Sequence, residues 1–386
     1  MRLLLTSLAL CVVSGGLVLA EEGRIPIFEP VVLDGTSGDI SGKYVVTRNI
    51  SLTADAPVIQ VIGTGTERVE IDLNGFTLVG QRAGGDLAGV IEVNGVASIK
   101  LRNGSVRNWL TTAANGILVQ SSIEVVVEDV VVADPHVGIF IQDAQLYAVR
   151  RCFVNRSLGQ GIFARDSGLG VIEDNQITNA SGTSIVVRVG TGGPAGGCQA
   201  VTIARNKVFS GNDGIVSLDC TGVVIEHNTV LGSTNQGIRV EGSPGCLVLN
   251  NSVSDCGGNG IRLLSDSPGC RVAGNVSERN VLHGILVGGS GTHVEGNVVR
   301  SNETGIGVNA DNNMIIKNNM SANTLRGLYF NVGADNNTFG DNSANGNTGA
   351  PTCNSPPGAC AAPDFCDASA GMANTSFGTN LMPGGC

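Results

Sequence analysis

Apolar and polar positions alternate along most of this chain in short runs separated by Gly, Asn, Asp and Ser. Runs such as "GILVQ" and "VVIEHNTV" have the period of two expected of half-buried β-strands. No segment beyond the first twenty residues has a helical period. The strands recur on a frame. A Gly-Ile pair stands at Gly116-Ile117, Gly138-Ile139, Gly161-Ile162, then Ser184-Ile185, Gly214-Ile215, Gly237-Ile238, Gly260-Ile261, Gly284-Ile285, Gly305-Ile306 and Gly327-Leu328. Whole phrases repeat with it: "GIRVEGSPGCLVLNN" at Gly237 returns at Gly260 as "GIRLLSDSPGCRVAGN". A second column holds an apolar residue three before an Asn, as in Ile172 and Asn175, Ile203 and Asn206, Ile225 and Asn228, Val248 and Asn251, Val272 and Asn275, Val294 and Asn297, Ile316 and Asn319, and Phe339 and Asn342. Two columns that keep one register mean one stacked supersecondary unit per repeat.

The unit is not a leucine-rich repeat, because the Leu-x-x-Leu-x-Leu frame is missing, and ankyrin or tetratricopeptide units would need helices. The pattern predicts an all-β fold, a single-stranded parallel β-solenoid in which each repeat is one coil. Ile117, Val119 and their counterparts point inward and stack. The Asn column suits a turn ladder, in which amides bond one another and the left-handed backbone is tolerated. About twelve coils at about 4.8 Å each make a rod of roughly 58 Å. The extra residue between Leu264 and Ser267, and the excursion "GTGGPAGG" at 190–197, fall in outward turns where insertion is tolerated.

This pattern resembles the right-handed parallel β-helix superfamily, the fold of pectate lyases and NosD-like periplasmic proteins. The resemblance covers about residues 31 to 345, and "GKYVVTRNISL" followed by "VEIDLNGFTLVG" is similar to the opening coils of exported bacterial members. Residues 1–20 read as an export signal: Arg2, an apolar run from Leu3 to Val13, and Val18-Leu19-Ala20 before Glu21. Residues 21–345 form the repeat domain, with 21–60 as an N-terminal cap. Residues 346–386, rich in Cys, Pro and Gly, form a tail or C-terminal cap.

Charge and cysteines narrow the classes. Without residues 1–20, 22 basic residues face 33 acidic ones, which argues against general binding to nucleic acid or anionic lipid. No later stretch is apolar enough to span a membrane. The protein is expected to be a monomer that is secreted, periplasmic or on the cell surface. Cys353, Cys360, Cys366 and Cys386 suit two disulfides in an exported tail. Cys198 and Cys220 each lie eight residues before a ladder Asn, and Cys246 and Cys270 each lie five before one. Stacked coils bring such pairs within disulfide reach, although parallel Cβ vectors also leave room for stacked thiols. Cys152 and Cys256 are expected to remain thiols.

Candidate chemistry lies on the outward side of the Gly-Ile strands. Leu118, Phe140, Phe163, Val186, Val216, Arg239 and Arg262 form one outward column, and Arg165, Arg188 and Glu241 belong to the next. Arginines suit carboxylates and aromatic rings suit sugar faces, so Phe140, Phe163, Arg165, Arg188, Arg239, Glu241 and Arg262 are the candidate substrate-binding residues for an acidic polysaccharide. A solvated face, with its arginines balanced by Asp166, Asp219 and Glu241, is the alternative. The resemblance to pectate lyases implies a Ca²⁺ site of clustered acids and a basic residue that abstracts a proton. Asp143, Asp166 and Asp219 are the metal candidates, and Arg188 and Arg239 the bases. Asp134-Pro135-His136 resembles the start of the Asp-Pro-His-Asp motif of mannuronan C5-epimerases, though Val137 stands where the second acid belongs. Asp134 and His136 are therefore catalytic candidates. His227, His283 and His293 have no metal-ligand spacing. No cofactor is expected, with Ca²⁺ reserved for a lyase. Low aromatic content and few wall-forming excursions favour a non-catalytic glycan-binding or surface module, with a uronate lyase or C5-epimerase as the alternative.

Overall fold

The computed structural model describes residues 23–81, 87–108, 114–190, 197–348 and, in the tail, 361–362, 365–367 and 374–377. The fold is an all-β parallel β-solenoid of about thirteen turns. No helix long and apolar enough to cross a membrane occurs among the described residues. The chain divides into two compact units, residues 1–158 and 159–386.

In the first unit the Gly-Ile type strands Val31–Asp34, Ile59–Ile62, Gly89–Asn94, Asn115–Gln120 and Ile139–Gln142 stack in parallel. Inside the stretch expected to serve as a cap, Val31–Asp34 begins this stack, and Ile25–Ile27 pairs with Gly42–Val46 in the other sheet. In the second unit the stack runs through Ile162–Arg165, Ile185–Arg188, Ile215–Leu218, Ile238–Glu241, Ile261–Leu263, His283–Val287, Thr304–Val308 and Arg326–Phe330. The tail adds to both sheets: Phe365–Asp367 pairs with the Leu328 strand of this stack, and Thr375–Phe377 pairs with Thr338–Gly340 of the other sheet.

Each coil of the second unit closes a three-sided core. Ile238 of the Gly-Ile strand meets Val248 and Val253 from the other two strands, and all three are fully buried. Burying one such side chain is worth about 2 kcal/mol. The glycine before the Ile is needed for clearance. A Cβ on Gly237 would stand 2.2 Å from the Val253 side chain and 2.6 Å from the Gly260 carbonyl oxygen.

The Asn ladder is present and buried. Asn175, Asn206, Asn228, Asn251, Asn275 and Asn297 each donate from Nδ2 to Oδ1 of the next, the last to Asn318, at 2.9–3.0 Å. One member differs from expectation. Asn318 is the buried rung, three residues after Ile315, whereas Asn319 is exposed. The tandem Asn318-Asn319 made the two indistinguishable by spacing. A second ladder through Asn280, Asn302, Asn323 and Asn347, and a third through Asn313, Asn337 and Asn374, were not anticipated. Cys152 takes the rung's place in the first unit, its thiol directed at the Arg150 and Val127 carbonyls.

Cys198 and Cys220 are joined by a disulfide with their Cα atoms 4.9 Å apart. Cys246, Cys256 and Cys270 are buried thiols. The expected pairing of Cys353, Cys360, Cys366 and Cys386 lies outside the described residues.

Replacing Asn251 by Leu should lower unfolding free energy by roughly 3 kcal/mol, because the Asn228 amide and the Ile225 carbonyl each lose a buried partner. Denaturant titration measures it. An unchanged midpoint would show that the ladder bonds contribute nothing net.

Candidate functional site

The register brings the outward columns together as the repeat requires: Arg165 is paired with Arg188, and Arg239 with Arg262. Outward does not mean exposed, however. Phe140, in the first unit, is 2% accessible; in the second unit Phe163 is 8% accessible, and Val186 and Val216 are buried in the same column. The Arg188 guanidinium lies 5.2 Å from the centre of the Phe163 ring, on a face that a sugar would otherwise use. These two rings are covered, and the accessible part of the second unit's face is its arginine-bearing half.

Two arginines of this face are already neutralised. Arg165 lies 3.8 Å from Asp166. Arg239 is tied to Glu241 and reaches Asp213 at 3.5 Å. Asp143, Asp166 and Asp219 occupy left-handed corners, with φ of 54°, 52° and 57°, a conformation in which Asp and Asn are enriched. Asp166 also accepts the Gly190 amide at 2.6 Å. These three acids turn the chain. Asp143 lies in the first unit and the other two in the second.

Asp134 is another left-handed corner, φ 59°. Arg156 at 2.7 Å and Arg107 at 2.9 Å bind its carboxylate and hold its pKa below the ordinary range. Both guanidiniums occupy the lone pairs a base would use. His136 follows in the same turn of the first unit, its backbone amide on the Ala114 carbonyl.

Three arginines are different. Arg188, Arg262 and Arg326 have no ion pair among the described residues, and the Arg188 Nε is buried without a partner. Arg326 lies over the Tyr329 ring at 4.3 Å. By contrast, Arg205, Arg271, Arg279 and Arg300, which point from the other two sides of the second unit, are all bound to carboxylates. A partly buried guanidinium left without a counter-charge favours an incoming anion.

Between Arg262 and Arg326 stands His283. It ends a polar ladder on the residue just before each repeated glycine. The Gln236 amide donates to Asp213 at 2.9 Å, Asn259 donates twice to Gln236 at 2.8 and 2.9 Å, and the His283 backbone amide donates to Asn259 at 3.1 Å. His283 Nδ1 lies 3.0 Å from Asn259 Oδ1, which accepts, so Nδ1 carries the proton and Nε2 presents its lone pair. Burial, then Arg326 and Arg262, depress the His283 pKa from 6.5 to about 4. The ring packs over position 307, which has room for it because it is glycine: a Cβ there would meet His283 Cδ2 at 2.5 Å. Sequence reasoning passed over this column, although Asp213, Gln236, Asn259, His283 and Arg326 each precede the repeated glycine and could have been aligned on it.

The described residues contain no group of three or more His, Cys, Asp or Glu able to hold a metal ion.

Two family models match the chain. One, described as periplasmic copper-binding protein (NosD), covers residues 181–350, and one, described as right handed beta helix region, covers residues 89–243. The copper of the first description finds no fitting donor set among the described residues, where the buried thiols Cys246 and Cys270 come as a pair without a third His, Cys, Asp or Glu. Among solved structures, the periplasmic alginate epimerase AlgG is similar with a TM-score of 0.54 and 14% identity, over 86% of this chain and 78% of that one. PfbA, a surface adhesin of Streptococcus pneumoniae, is similar with a TM-score of 0.50 and 10% identity, over 78% and 83%. No curated protein matches the sequence. At these identities the likeness is one of fold.

The His283 ring should titrate near pH 4, not 6.5. Between those values the unfolded chain takes up a proton that the folded chain refuses, so stability falls as pH falls through that window. Imidazole NMR of the folded protein reads the titration, and Gly307→Ala should move it upward by displacing the ring. A wild-type inflection above pH 6 would contradict the buried, cation-flanked setting.

Proposed function

Starting from a chain of the right-handed parallel β-helix superfamily, we propose that it is an exported envelope or surface protein that binds an acidic polysaccharide on the Gly-Ile face of its second unit. The observation that carries this reading is the contrast in ion pairing: Arg188, Arg262 and Arg326 stand without carboxylates, while every described arginine on the other sides of the unit has one.

Their arrangement fits a chain ligand. Arg188, Arg262 and Arg326 lie on strands three coils apart, and they step across the face from the strand end to the residue before the glycine. Three coils span about 14 Å along the stack. An extended polyuronate crossing the face obliquely would set a carboxylate at each guanidinium about every third sugar. Glu241 and Asp213, which hold Arg239 back from the ligand, keep the track from becoming a uniform cationic patch.

His283 favours a second reading, in which the same face is catalytic. Its free Nε2 would take the proton α to a uronate carboxylate held by Arg262 or Arg326. The electron pair left at carbon would then expel the neighbouring glycosidic oxygen, as in a lyase, or be reprotonated from the opposite side, as in an epimerase.

Binding to polygalacturonate or alginate should exceed binding to a neutral glycan and weaken as salt rises. Arg262→Ala with Arg326→Ala should weaken it more than tenfold, about 1.4 kcal/mol, whereas Arg205→Ala at a paired corner should leave it unchanged. Equal loss from both variants would remove the case for this face. The catalytic reading predicts absorbance from unsaturated products, or a changed C5 configuration by NMR, that His283→Asn abolishes while binding persists. Unaltered polymer after prolonged incubation leaves binding as the function.

A further inference from the structure

The second unit contains two cysteine pairs built alike. Cys198 and Cys220 occupy one column on adjacent coils, in the register set by Gln199 and Thr221, and are bonded. Cys246 and Cys270 occupy another column on adjacent coils, in the register set by Leu247 and Arg271. The Arg271 amide donates to the Cys246 carbonyl at 2.9 Å, so the two backbones are zipped at this point. Both side chains are buried, at 0% and 1% accessibility. We propose that Cys246 and Cys270 are the site of a second inter-coil disulfide, formed as the chain folds under oxidising conditions.

The geometry supports closure without rearrangement of the fold. Residues facing each other on parallel coils sit about 4.8 Å apart, inside the Cα range of disulfides, and the Cys198–Cys220 bond spans 4.9 Å in the same setting. The nearness of the two thiols raises the pKa of Cys246 and lowers that of Cys270. Neither sulfur is reachable in the closed coil, so the bond must form before the coils finish packing. The oxidant is a small disulfide such as oxidised glutathione. One cysteine thiolate attacks it and releases one glutathione. The other cysteine, deprotonated, then displaces the second glutathione, so two thiols become one disulfide and one disulfide becomes two thiols.

The position gives the bond a role. The coils that Cys246 and Cys270 join carry Arg239, held by Glu241 and Asp213, and beside it Arg262, which has no ion pair among the described residues. The Cys198–Cys220 bond joins the coil of Arg188 to the next one. Two staples would thus hold four successive coils, from Ile185–Arg188 to Ile261–Leu263, under the arginine-bearing face.

The test is peptide mapping of the full chain, refolded from the reduced and unfolded state in a glutathione redox buffer. Free thiols are trapped with an alkylating agent under denaturing conditions. We expect a Cys246–Cys270 crosslinked peptide beside the Cys198–Cys220 one, and alkylation of Cys246 at least tenfold lower than after reduction. Hydrogen exchange at the Arg271 amide should slow at least tenfold in the oxidised protein. In a Cys246→Ser variant, Cys270 should become fully alkylated while Cys198–Cys220 stays bonded. Alkylation of both Cys246 and Cys270 at a redox ratio that closes Cys198–Cys220 would overturn the proposal, as would capture of either one by a cysteine of another coil or of the tail.

Discussion

Parallel coils in register place every residue over the equivalent residue of the next coil, and no coil can satisfy itself alone. Ile238 is covered by Ile215 and Ile261, and Asn251 is bonded on both sides by Asn228 and Asn275. A single coil would expose its apolar side chains and leave buried amides unpaired. Stability therefore accumulates between neighbours rather than within a unit. The ladder has a direction as well, because each Nδ2 donates onward to the next Oδ1. A side chain at that position must be both donor and acceptor at fixed reach, which is why Asn recurs so strictly.

The same stacking that favours like apolar residues penalises like charges. A cation placed on one coil stands about 4.8 Å from the residue above it. The corners of the solenoid meet this by alternating sign, as with Asp174 below Arg205 and Asp255 below Arg279. The Gly-Ile face meets it only in part. Arg239 is neutralised by Glu241 and Asp213, while Arg262, directly beside it, is left with no counter-charge among the described residues. That imbalance has no packing purpose, and it sets this face apart from the other two.

The fold was legible in the sequence because packing speaks through periodicity. The Gly-Ile and Asn columns fix the register, and the structure keeps it through the 30-residue step between Ser184 and Gly214. What periodicity cannot separate are neighbours of the same type, hence Asn318 against Asn319. Outward direction was also legible, but exposure was not. Phe163 points away from the core and is still covered, because an arginine one coil on folds over it. The acids Asp143, Asp166 and Asp219 looked like ligands for the same reason they look like turns: a short polar side chain that accepts hydrogen bonds serves both. Their left-handed φ angles place all three at corners.

The site was the least legible part, and the cause is physical. Core positions are dictated by the neighbouring coil, so they repeat. A site must break the repeat, since identical side chains on every coil would make a uniform surface with no preferred position for a ligand. His283, Gly307 and Arg326 are departures of this kind. The imidazole has its place only because the coil after it has no side chain at position 307. Its proton sits on Nδ1 only because the polar ladder from Asp213 ends there with an acceptor. Neither condition concerns residues that are unusual in themselves. Each concerns what the adjacent coil withholds or supplies, so in a solenoid the informative unit for function is the mismatch between two coils at one position, just as the informative unit for folding is their match.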